Sequence, residues 1–324
     1  MLDNKTILIT GGTGSFGQDA TEFLLSNSKA KKIIIFSRDE NKQFIMQNKF
    51  KDRSRRLRFF LGDVRDQSRI EMALNGVDLL IHAAALKHVP AAEYNPFEFI
   101  KTNVYGAENV ISASLSKKVK KVLMLSTDKA CNPINLYGAT KLCSEKLFVN
   151  ANNYSGTKGT LFGVVRYGNV ISSRGSVIPL FKNLIKNGQK ELPLTHKDMT
   201  RFFITLPEAI KFVFNCFNLL KGGEIFIPKM KSIYISDVIK LIDSKIKIKI
   251  SGIRAGEKIH ETLCSHDESN YVYENKSYYA IYPPIFFLSK FKTGKKVKQG
   301  FVYSSNIKSN FFETSKFKEI IKKY

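Results

Sequence analysis

Side chains that can transfer protons or polarise an oxygen atom are concentrated in one short segment, residues 126–141. Lys141 follows Tyr137 by four residues, so both side chains would share one face of a helix that begins near Tyr137. An ammonium beside a phenol favours the phenolate, which can accept a proton. A carboxyl and an amino group in adjacent positions are a second possible acid/base pair. The residues concerned are Thr127, Asp128, Lys129, Tyr137 and Lys141.

The apolar residues 122–125 immediately before this segment predict a buried parallel strand. Ligands in open α/β sheets bind beyond the carboxyl ends of such strands. A Tyr-x-x-x-Lys spacing occurs by chance in many helices, and an Asp next to a Lys is often only a local ion pair. The position after a buried strand is therefore what favours chemistry over packing.

A glycine-rich turn near the start of the chain predicts a dinucleotide site. Residues 6–10 are a short apolar strand, residues 18–26 are amphipathic, and glycines at every third position separate them. Such glycines allow a tight turn and a close approach of the backbone to a pyrophosphate, which then meets the amides of a helix N-terminus. The turn residues expected to contact the cofactor are Gly11, Thr13, Gly14, Ser15, Phe16 and Gly17.

The second strand, residues 32–36, ends in side chains that favour NADP over NAD. An NAD site usually has a carboxylate here for the ribose 2′-hydroxyl. Ser37 and Arg38 occupy that place, and Asp39 and Lys42 follow them in the sequence. A hydroxyl and a guanidinium suit a 2′-phosphate. The alternative is that Arg38 and Lys42 are solvated residues at the start of a helix.

Further cofactor contacts are expected after the next two strands, residues 57–61 and 77–81. Asp63 could accept a hydrogen bond from the adenine amino group. The small residues after the fourth strand would let the nicotinamide ribose approach the backbone, and His82 is expected to be packed rather than catalytic. The remaining residues expected in the cofactor site are Val64, Ala83, Lys87, Asn103 and Val170.

Strands that alternate with helices predict an α/β fold with a Rossmann-type, doubly wound parallel sheet. We expect residues 1–170 to form the NADP-binding domain, including the catalytic residues. Residues 171–324 are expected to form mainly a smaller α/β substrate-binding region with a C-terminal extension. Elements predicted there are helices over residues 206–220 and 235–242, and strands over residues 224–227 and 246–250.

The composition of the 324-residue chain is ordinary for a soluble globular protein except for its charge. The formal net charge of +24 requires that nucleic-acid and membrane-surface partners be considered. The basic residues are scattered, however, and no nucleic-acid-binding module is recognisable. We therefore expect neither a nucleic-acid nor a membrane partner.

The cysteines indicate reduced thiols. Cys131, Cys143, Cys216 and Cys264 are widely spaced, without a CxxC pair or a histidine at metal-ligand spacing, so no metal site is expected. Cys131 lies close to Asp128 and could make the site sensitive to thiol reagents. No apolar run approaches the roughly 18 residues of a transmembrane helix, and the early strand leaves no room for a signal peptide. A cytoplasmic protein is expected.

The order of motifs along the chain resembles that of the extended short-chain dehydrogenase/reductases. The motifs are GGTGSFG, SRDE, GDVRD, HAAALKHVP, STDKA, NPINLYGATK, VRYGNV, RGSVIP, MTRF and GIRAGEK. They look most like those of the UDP-N-acetylglucosamine 4,6-dehydratases that invert C5, the first enzymes of pseudaminic acid biosynthesis. The most specific part is Thr-Asp-Lys at 127–129 together with Tyr137. The related dTDP-glucose-type enzymes carry Thr-Asp-Glu, and capsule-type inverting enzymes tend to replace the tyrosine with methionine.

The resemblance implies a lyase reaction. Tyr137, supported by Lys141, accepts the C4 hydroxyl proton while hydride passes to NADP, and Thr127 binds the C4 oxygen. Lys129, if neutral in a desolvated site between positive neighbours, removes the C5 proton. Asp128, if protonated, donates to the departing C6 hydroxyl. Hydride then returns to C6, and a proton reaches C5 from the opposite face.

The resemblance also implies that the second half of the chain binds UDP and that the protein is a homo-oligomer, often a hexamer in the family. The RGSVIP motif offers a guanidinium, amides and a hydroxyl to a diphosphate at a helix start. The residues expected to bind the UDP-sugar are Lys87, Asn169, Arg174, Gly175, Ser176, Val177, Ile178, Pro179, Arg201, Arg254 and Glu257. Aromatic residues that predict a packed C-terminal extension, with a subunit contact as one option, are Tyr278, Tyr279, Tyr282, Phe286 and Phe287.

Other functions remain open at this point. A related C5-retaining or capsule-type dehydratase, or an epimerase, would have the same fold. An epimerase needs Tyr137 and Lys141 but not the Asp–Lys pair. A non-catalytic NADP-binding scaffold would be expected to lose the tyrosine or the lysine. A basic nucleic-acid-binding protein would lose affinity steeply as salt increases.

Overall fold

Strands and helices alternate along most of the chain. The computed structural model describes residues 2–51, 55–156, 159–171, 175–284 and 292–323. The strands are β1 (Thr6–Thr10), β2 (Lys32–Ser37), β3 (Leu57–Leu61), β4 (Leu79–His82), β5 (Lys121–Thr127), β6 (Leu161–Tyr167), β7 (Asn169–Val170), β8 (Glu191–Leu194), β9 (Thr200–Ile204), β10 (Ile225–Pro228), β11 (Lys231–Tyr234), β12 (Lys247–Ile250), β13 (Thr262–Cys264), β14 (Val272–Glu274), β15 (Tyr278–Ile281), β16 (Lys295–Lys296) and β17 (Tyr303–Ser304).

The helices lie mainly between the strands of the first half and around those of the second. They are α1 (Ser15–Asn27), α2 (Glu40–Phe50), α3 (Gln67–Ala73), α4 (Val89–Tyr94), α5 (Pro96–Phe99), α6 (Gly106–Ser116), α7 (Leu136–Ser155), α8 (Val177–Lys186), α9 (Leu206–Leu219), α10 (Ile235–Ile242) and α11 (Thr314–Lys323). A π-helical stretch joins α5 to α6 over Ile100–Tyr105, and a 3₁₀ turn at Asp128–Ala130 follows β5.

Ten strands of the described chain form one sheet, in the order β16-β14-β15-β10-β6-β5-β4-β1-β2-β3. The strands from β10 to β3 are all parallel to their neighbours. The last three, β15, β14 and β16, join antiparallel. The order reverses direction at β1, where β2 lies on one side and β4 on the other. This arrangement confirms the predicted doubly wound, Rossmann-type sheet.

Both faces of the sheet are covered. In β1 the side chains of Ile7 and Ile9 enter one hydrophobic cluster, which α1 and α9 complete, and Leu8 enters the cluster on the other face with α3, α6 and α7. Alternate residues of a strand point to opposite faces, so a strand covered on both sides must be apolar throughout. That requirement explains the continuous apolar runs of the central strands.

The second half of the chain returns to the main sheet. Strand β10 lies between β6 and β15, so residues on both sides of position 170 build the same sheet. Smaller sheets, β11-β9-β7, β12-β8 and β13-β17, lie beyond it. A third hydrophobic cluster packs α8, α10 and α11 around β8 and β9. The assignment of residues 1–170 and 171–324 to separate functional regions stays a prediction.

The aromatic residues of the C-terminal region serve the core. Tyr278, Tyr279 and Tyr282 are each less than a tenth exposed and belong to the clusters that flank the main sheet. They are buried within their own chain, as a packed C-terminal extension requires, and a subunit contact of this region stays a prediction. Phe286 and Phe287 lie outside the described residues.

The predicted boundaries are right to within about three residues. Helix α1 begins at Ser15, inside the glycine-rich turn and earlier than the predicted Gln18, because the amide of Gln18 already donates to the carbonyl of Gly14. Strand β5 extends to Thr127. Thr127, one of the predicted catalytic residues, is therefore the last residue of the strand.

The thiols are unpaired, and burial governs their reactivity. All four cysteines are free. Burial, with the charge of Glu268 as a second cause, raises the pKa of the Cys131 thiol far above its usual value. The expected sensitivity of Cys131 to thiol reagents is therefore wrong for the folded protein. Among the helices described, none is long and apolar enough to cross a membrane.

Candidate active site

A cleft of about 790 Å³ lies at the carboxyl ends of the parallel strands and continues to residues 254–261. It is where ligands bind in sheets of this topology. The predicted site residues that line it are Gly11, Thr13, Gly14, Ser15, Phe16, Gly17, Ser37, Arg38, Asp39, Lys42, Val64, Ala83, Lys87, Thr127, Lys129, Tyr137, Lys141, Asn169, Val170, Gly175, Ser176, Val177, Arg201, Arg254 and Glu257.

Several predicted residues do not line the cleft. Ile178 is buried in the cluster around α8, and Pro179 follows it in the first turn of that helix. Asp63 lies between two cleft residues, but its carboxylate is held 2.7 Å from Arg65 Nη2 and 3.6 Å from Arg38 Nη1. Arg174 lies outside the described residues.

Asn103 has a supporting position rather than a cofactor contact. Its side chain is buried in the π-helical stretch, accepts from the amide of Leu86 at 2.9 Å and donates to the Leu86 carbonyl at 3.0 Å. It also donates to Thr140 in α7 at 3.0 Å. The side chain thereby fixes the loop that carries Lys87 relative to the helix that carries Tyr137 and Lys141.

The glycine-rich turn fits a pyrophosphate. A Cβ on Gly17 would lie 2.2 Å from the carbonyl oxygen of Gly12, so only glycine lets α1 lie this close to the turn. The N-cap of α1 is Gly14, which has no side chain to cap the helix, and the first turn has no acidic residue. These features leave the positive end of the helix dipole facing the cleft without a carboxylate.

The region after β2 is basic but partly neutralised. Arg38 is about half exposed, lines the cleft and pairs with Asp63, while the ammonium of Lys42 contacts the carboxylate of Asp39. Asp39 is the N-cap of α2 and accepts from the amide of Lys42. Ser37 accepts a hydrogen bond from Gln43. The side chains fit a 2′-phosphate, because an incoming phosphate can compete for Arg38 with a single surface carboxylate.

Lys129 is held between two carboxylates. Its Nζ lies 3.0 Å from Asp128 Oδ1 and 3.2 Å from Glu261 Oε1. Thr127 Oγ1 donates to the same Asp128 oxygen at 3.0 Å. Asp128 is fully buried and Glu261 is 3% exposed, whereas the Lys129 side chain is 24% exposed and faces the cleft. The second oxygens of both carboxylates are buried without a hydrogen-bond partner in the described part of the chain.

The charge on Lys129 differs from the expectation. Burial disfavours its ammonium, but the carboxylates of Asp128 and Glu261 outweigh burial and raise the pKa of Lys129 well above its usual value. The expectation of a neutral Lys129 between positive neighbours is therefore wrong for the protein without bound ligands, because its nearest charged neighbours are carboxylates. Arg201 is a positive neighbour, but its effect is smaller than those of the two carboxylates.

Tyr137 lies next to this group because α7 starts against the Lys129 turn. A Cβ on Gly138 would lie 2.2 Å from the Lys129 carbonyl oxygen, so the first turn of the helix can only approach with glycine there. Burial raises the pKa of Tyr137 to about 12, and the charge of Lys129 and a hydrogen bond with Thr127 oppose that rise. Within the protein, Lys129 rather than Lys141 is the cation that favours the phenolate.

Lys141 has a different environment. It is 3% exposed, and burial lowers its pKa to about 8, with the nearby Glu145 opposing the shift. His82 beside it is fully buried, accepts or donates a 2.8 Å hydrogen bond with Thr10, and has its pKa lowered to about 3 by burial and by the charge of Lys141. His82 is therefore a neutral, packed residue, as the sequence predicts.

The far end of the cleft offers polar groups for an anion. Ser176 is the N-cap residue of α8, its hydroxyl is buried without a hydrogen-bond partner in the described part of the chain, and it lines the cleft. Arg254 is exposed there. Arg201, by contrast, donates to the carbonyls of Thr200, Ile259 and Lys258, so its guanidinium mainly holds this segment in place.

Sequence reasoning missed Glu261 and a buried charge network. Glu261 lies just before β13, in a polar stretch with no recognisable spacing to Lys129. Arg166 in β6 is fully buried and pairs with Glu145 of α7 at 2.6 Å and with Glu268 at 2.8 Å. The sequence gives one signal of this network. Arg166 lies inside an apolar strand, and a buried charge there needs a partner of opposite charge.

A doubly wound sheet with a glycine-rich turn after β1 and Tyr-x-x-x-Lys on the helix after β5 defines a protein of the short-chain dehydrogenase/reductase type. Comparison with known families is more specific. The family described as polysaccharide biosynthesis protein matches residues 7–283, and the chain belongs to that family.

Individual relatives include enzymes of two kinds. The UDP-N-acetylglucosamine 4,6-dehydratase (inverting) of Campylobacter jejuni is 56% identical over 315 residues, which cover 94% of each chain. The UDP-glucose 4-epimerase of Rickettsia massiliae is 45% identical and covers 87% of this chain and 84% of its own. The X-ray structure of Pen from Bacillus thuringiensis has a TM-score of 0.92 at 38% identity and covers 100% of this chain and 98% of its own. The similarity to the dehydratase supports a hydro-lyase of the nucleotide-sugar type.

Proposed function

We propose that this protein is a cytoplasmic, homo-oligomeric UDP-N-acetylglucosamine 4,6-dehydratase that uses NADP and inverts C5, the first step of pseudaminic acid biosynthesis. The observation that carries the proposal is the group formed by Lys129 and Tyr137, which line the cleft, and the buried Asp128 beside them. The glycine-rich turn and the anion-binding groups around Ser176 line the same cleft. The 56% identical Campylobacter dehydratase supports the substrate and the stereochemistry.

The first half-reaction needs a base at the C4 hydroxyl. NADP bound along the glycine-rich turn would supply the hydride acceptor for C4 and the hydride donor for C6. Tyr137 takes the hydroxyl proton, and the charge of Lys129 favours its phenolate, with Lys141 one helical turn further along α7. Thr127, which lines the cleft, orients the C4 oxygen.

Elimination needs a neutral amine and a protonated acid, and the geometry provides a route to both. The Lys129 ammonium is 3.0 Å from Asp128 Oδ1, so one proton transfer between them yields the two required forms. Lys129 then removes the C5 proton, which the C4 ketone acidifies. Asp128 is fully buried, and its proton reaches the C6 oxygen through Thr127, which bonds it at 3.0 Å. Loss of water returns Asp128 and Lys129 to their original charges.

The cleft residues beyond this group bind the UDP part. Ser176, Gly175 and the start of α8 bind the diphosphate through a hydroxyl, backbone amides and the helix dipole. Arg254 and Glu257 of the same cleft also bind the UDP part, with Asn169 and Lys87 on the sugar side. Arg201 contributes by holding the backbone of residues 258–259 in place.

Isotope labelling tests substrate, reaction and stereochemistry together. UDP-N-acetylglucosamine incubated with the enzyme and NADP in D₂O should give a 4-keto-6-deoxy product that carries deuterium at C5 and has the L-arabino configuration by NMR. A product with unchanged C5 configuration would contradict inversion and indicate a retaining dehydratase.

A 4-epimerase is the second candidate, because the Rickettsia epimerase is 45% identical. An epimerase oxidises C4 and returns hydride to the same carbon, so it needs no acid/base pair for loss of water. The Asp128–Lys129 pair beside Tyr137 favours the dehydratase. In the labelling experiment an epimerase would give a C4-inverted sugar that keeps its C6 hydroxyl and carries no deuterium at C5.

A further inference from the structure

Glu261 has contacts that packing alone does not require. Its Oε1 lies 3.2 Å from Lys129 Nζ and 3.8 Å from Arg201 Nε, and the side chain is 3% exposed. Its Oε2 is buried and has no hydrogen-bond partner in the described part of the chain, although Glu261 lines the cleft. A buried, half-satisfied carboxylate is costly for stability, so its presence at the cleft indicates a functional reason.

Arg201 does not account for that carboxylate. Its guanidinium donates to three backbone carbonyls at 2.7–2.9 Å, whereas its nearest approach to Glu261 is longer than a hydrogen bond. Among the described residues, Lys129 is the group in close polar contact with the Glu261 side chain.

We propose that Glu261 is a positioning residue for Lys129: its carboxylate holds the lysine ammonium toward the cleft and beside the Asp128 carboxylate that receives its proton before the C5 proton is removed. The inference rests on the proposed function in assigning the proton to C5. The contact itself, and its effect on the charge of Lys129, do not depend on the substrate.

The balance of charges around Lys129 supports this role. The ionisable groups that face it are Asp128 on its own turn, Glu261 before β13, Arg201 on β9, Lys87 after β4 and Tyr137 on α7. Without Glu261, the Lys129 ammonium would face one carboxylate, that of Asp128, and the two charges would balance. Because the carboxylate of Glu261 adds a second negative charge, the pKa of Lys129 rises despite burial and despite the two nearby cations.

A Glu261→Gln variant removes the charge and keeps the shape. The neutral fraction of Lys129 should then increase, so acetic anhydride at limiting concentration should acetylate Lys129 at least about threefold faster than in the wild type, measured by peptide mass spectrometry at one pH. The Glu261→Asp variant keeps the charge and should be labelled at close to the wild-type rate. An unchanged rate in Glu261→Gln, or equally increased rates in both variants, would overturn the proposal.

Turnover separates positioning from general structure. With UDP-N-acetylglucosamine, Glu261→Gln should still form reduced cofactor at a rate near that of the wild type, since that step uses Tyr137 and Lys141. Loss of water should be roughly 10- to 100-fold slower despite the larger neutral fraction of Lys129, because the amine is no longer held toward the cleft and Asp128. Equal loss of both steps would show a structural role and contradict the proposal.

The matched control is Glu257→Gln, which removes a carboxylate 3.8 Å from Arg201 on the same segment but not in contact with Lys129. It should leave the labelling rate of Lys129 unchanged and affect KM. If the wild-type enzyme makes no 4-keto product, the proposed function fails. The labelling experiment still decides the contact between Glu261 and Lys129.

Discussion

Two lysines on opposite sides of Tyr137 differ in what sets their charge. Lys141 is 3% exposed, its one nearby carboxylate is Glu145, and burial lowers its pKa to about 8. The Lys129 side chain is 24% exposed but touches the carboxylates of Asp128 and Glu261, and its pKa is raised. Burial acts against the charge in both cases, and the number of carboxylates in contact decides the outcome.

The difference suits two kinds of chemistry. A lysine that titrates near neutral pH can support a tyrosine in reversible proton transfer during hydride steps. A lysine of high proton affinity is suited to removing a proton from carbon, once it has passed its own proton to Asp128. The segment 129–141 thus carries two lysines whose pKa values are shifted in opposite directions.

The largest expected effect comes from removing the second lysine. Lys129→Ala should slow loss of water about 1000-fold while reduced cofactor still forms at a reduced rate, because the elimination needs the amine as its base whereas the first step needs only its charge near Tyr137. Absorbance of the reduced nicotinamide and NMR of the sugar measure the two steps separately. Tyr137→Phe is the matched control and should block both steps. Wild-type turnover in Lys129→Ala would show that Lys129 is not the base for the elimination and that the two lysines do not have separate roles.

A medium effect is expected on stability at Lys141. Below pH 8 both the folded and the unfolded chain carry its charge, and the cost of burying that charge is fully present. Between about pH 8 and pH 10.5 the folded state loses the proton first, so stability rises with pH through this window. Lys141→Met should therefore stabilise the protein by roughly 3 kcal/mol at pH 7.

Urea unfolding of wild type and of Lys141→Met at several pH values measures this difference. The gain should shrink as the pH rises toward 10.5, where the wild-type lysine is neutral in both states. A gain that does not change with pH would indicate better packing of methionine rather than relief of a buried charge. In either case the variant should lose hydride transfer, as is usual where stability is traded for activity.

The smallest effect tests a third cation, Arg38, which is half exposed and pairs with one surface carboxylate. Arg38→Asp should weaken NADP binding about tenfold relative to NAD, because one charged hydrogen bond to the 2′-phosphate is lost and a repulsion is added. Fluorescence or calorimetric titration with both cofactors measures the ratio. An unchanged ratio would mean that the 2′-phosphate is bound elsewhere.

The fold and half of the site could be predicted because both depend on local sequence. Apolar runs predict the strands, glycine spacing predicts the turn after β1, and the four-residue spacing of Tyr137 and Lys141 follows from helix geometry. The charge of Lys129 could not be predicted, since Glu261 reaches it from 132 residues away along the chain. The return of residues 225–228 to the main sheet is a tertiary outcome of the same kind.

The separation between Lys129 and Glu261 has a consequence for the order of synthesis. A nascent chain that has passed residue 170 already contains the glycine-rich turn, six of the parallel strands and Tyr137 with Lys141. Glu261 and the strand that follows it emerge from the ribosome much later. The growing protein can therefore form its glycine-rich turn early. The contact of Lys129 with its second carboxylate, Glu261, forms only when most of the chain has been synthesised.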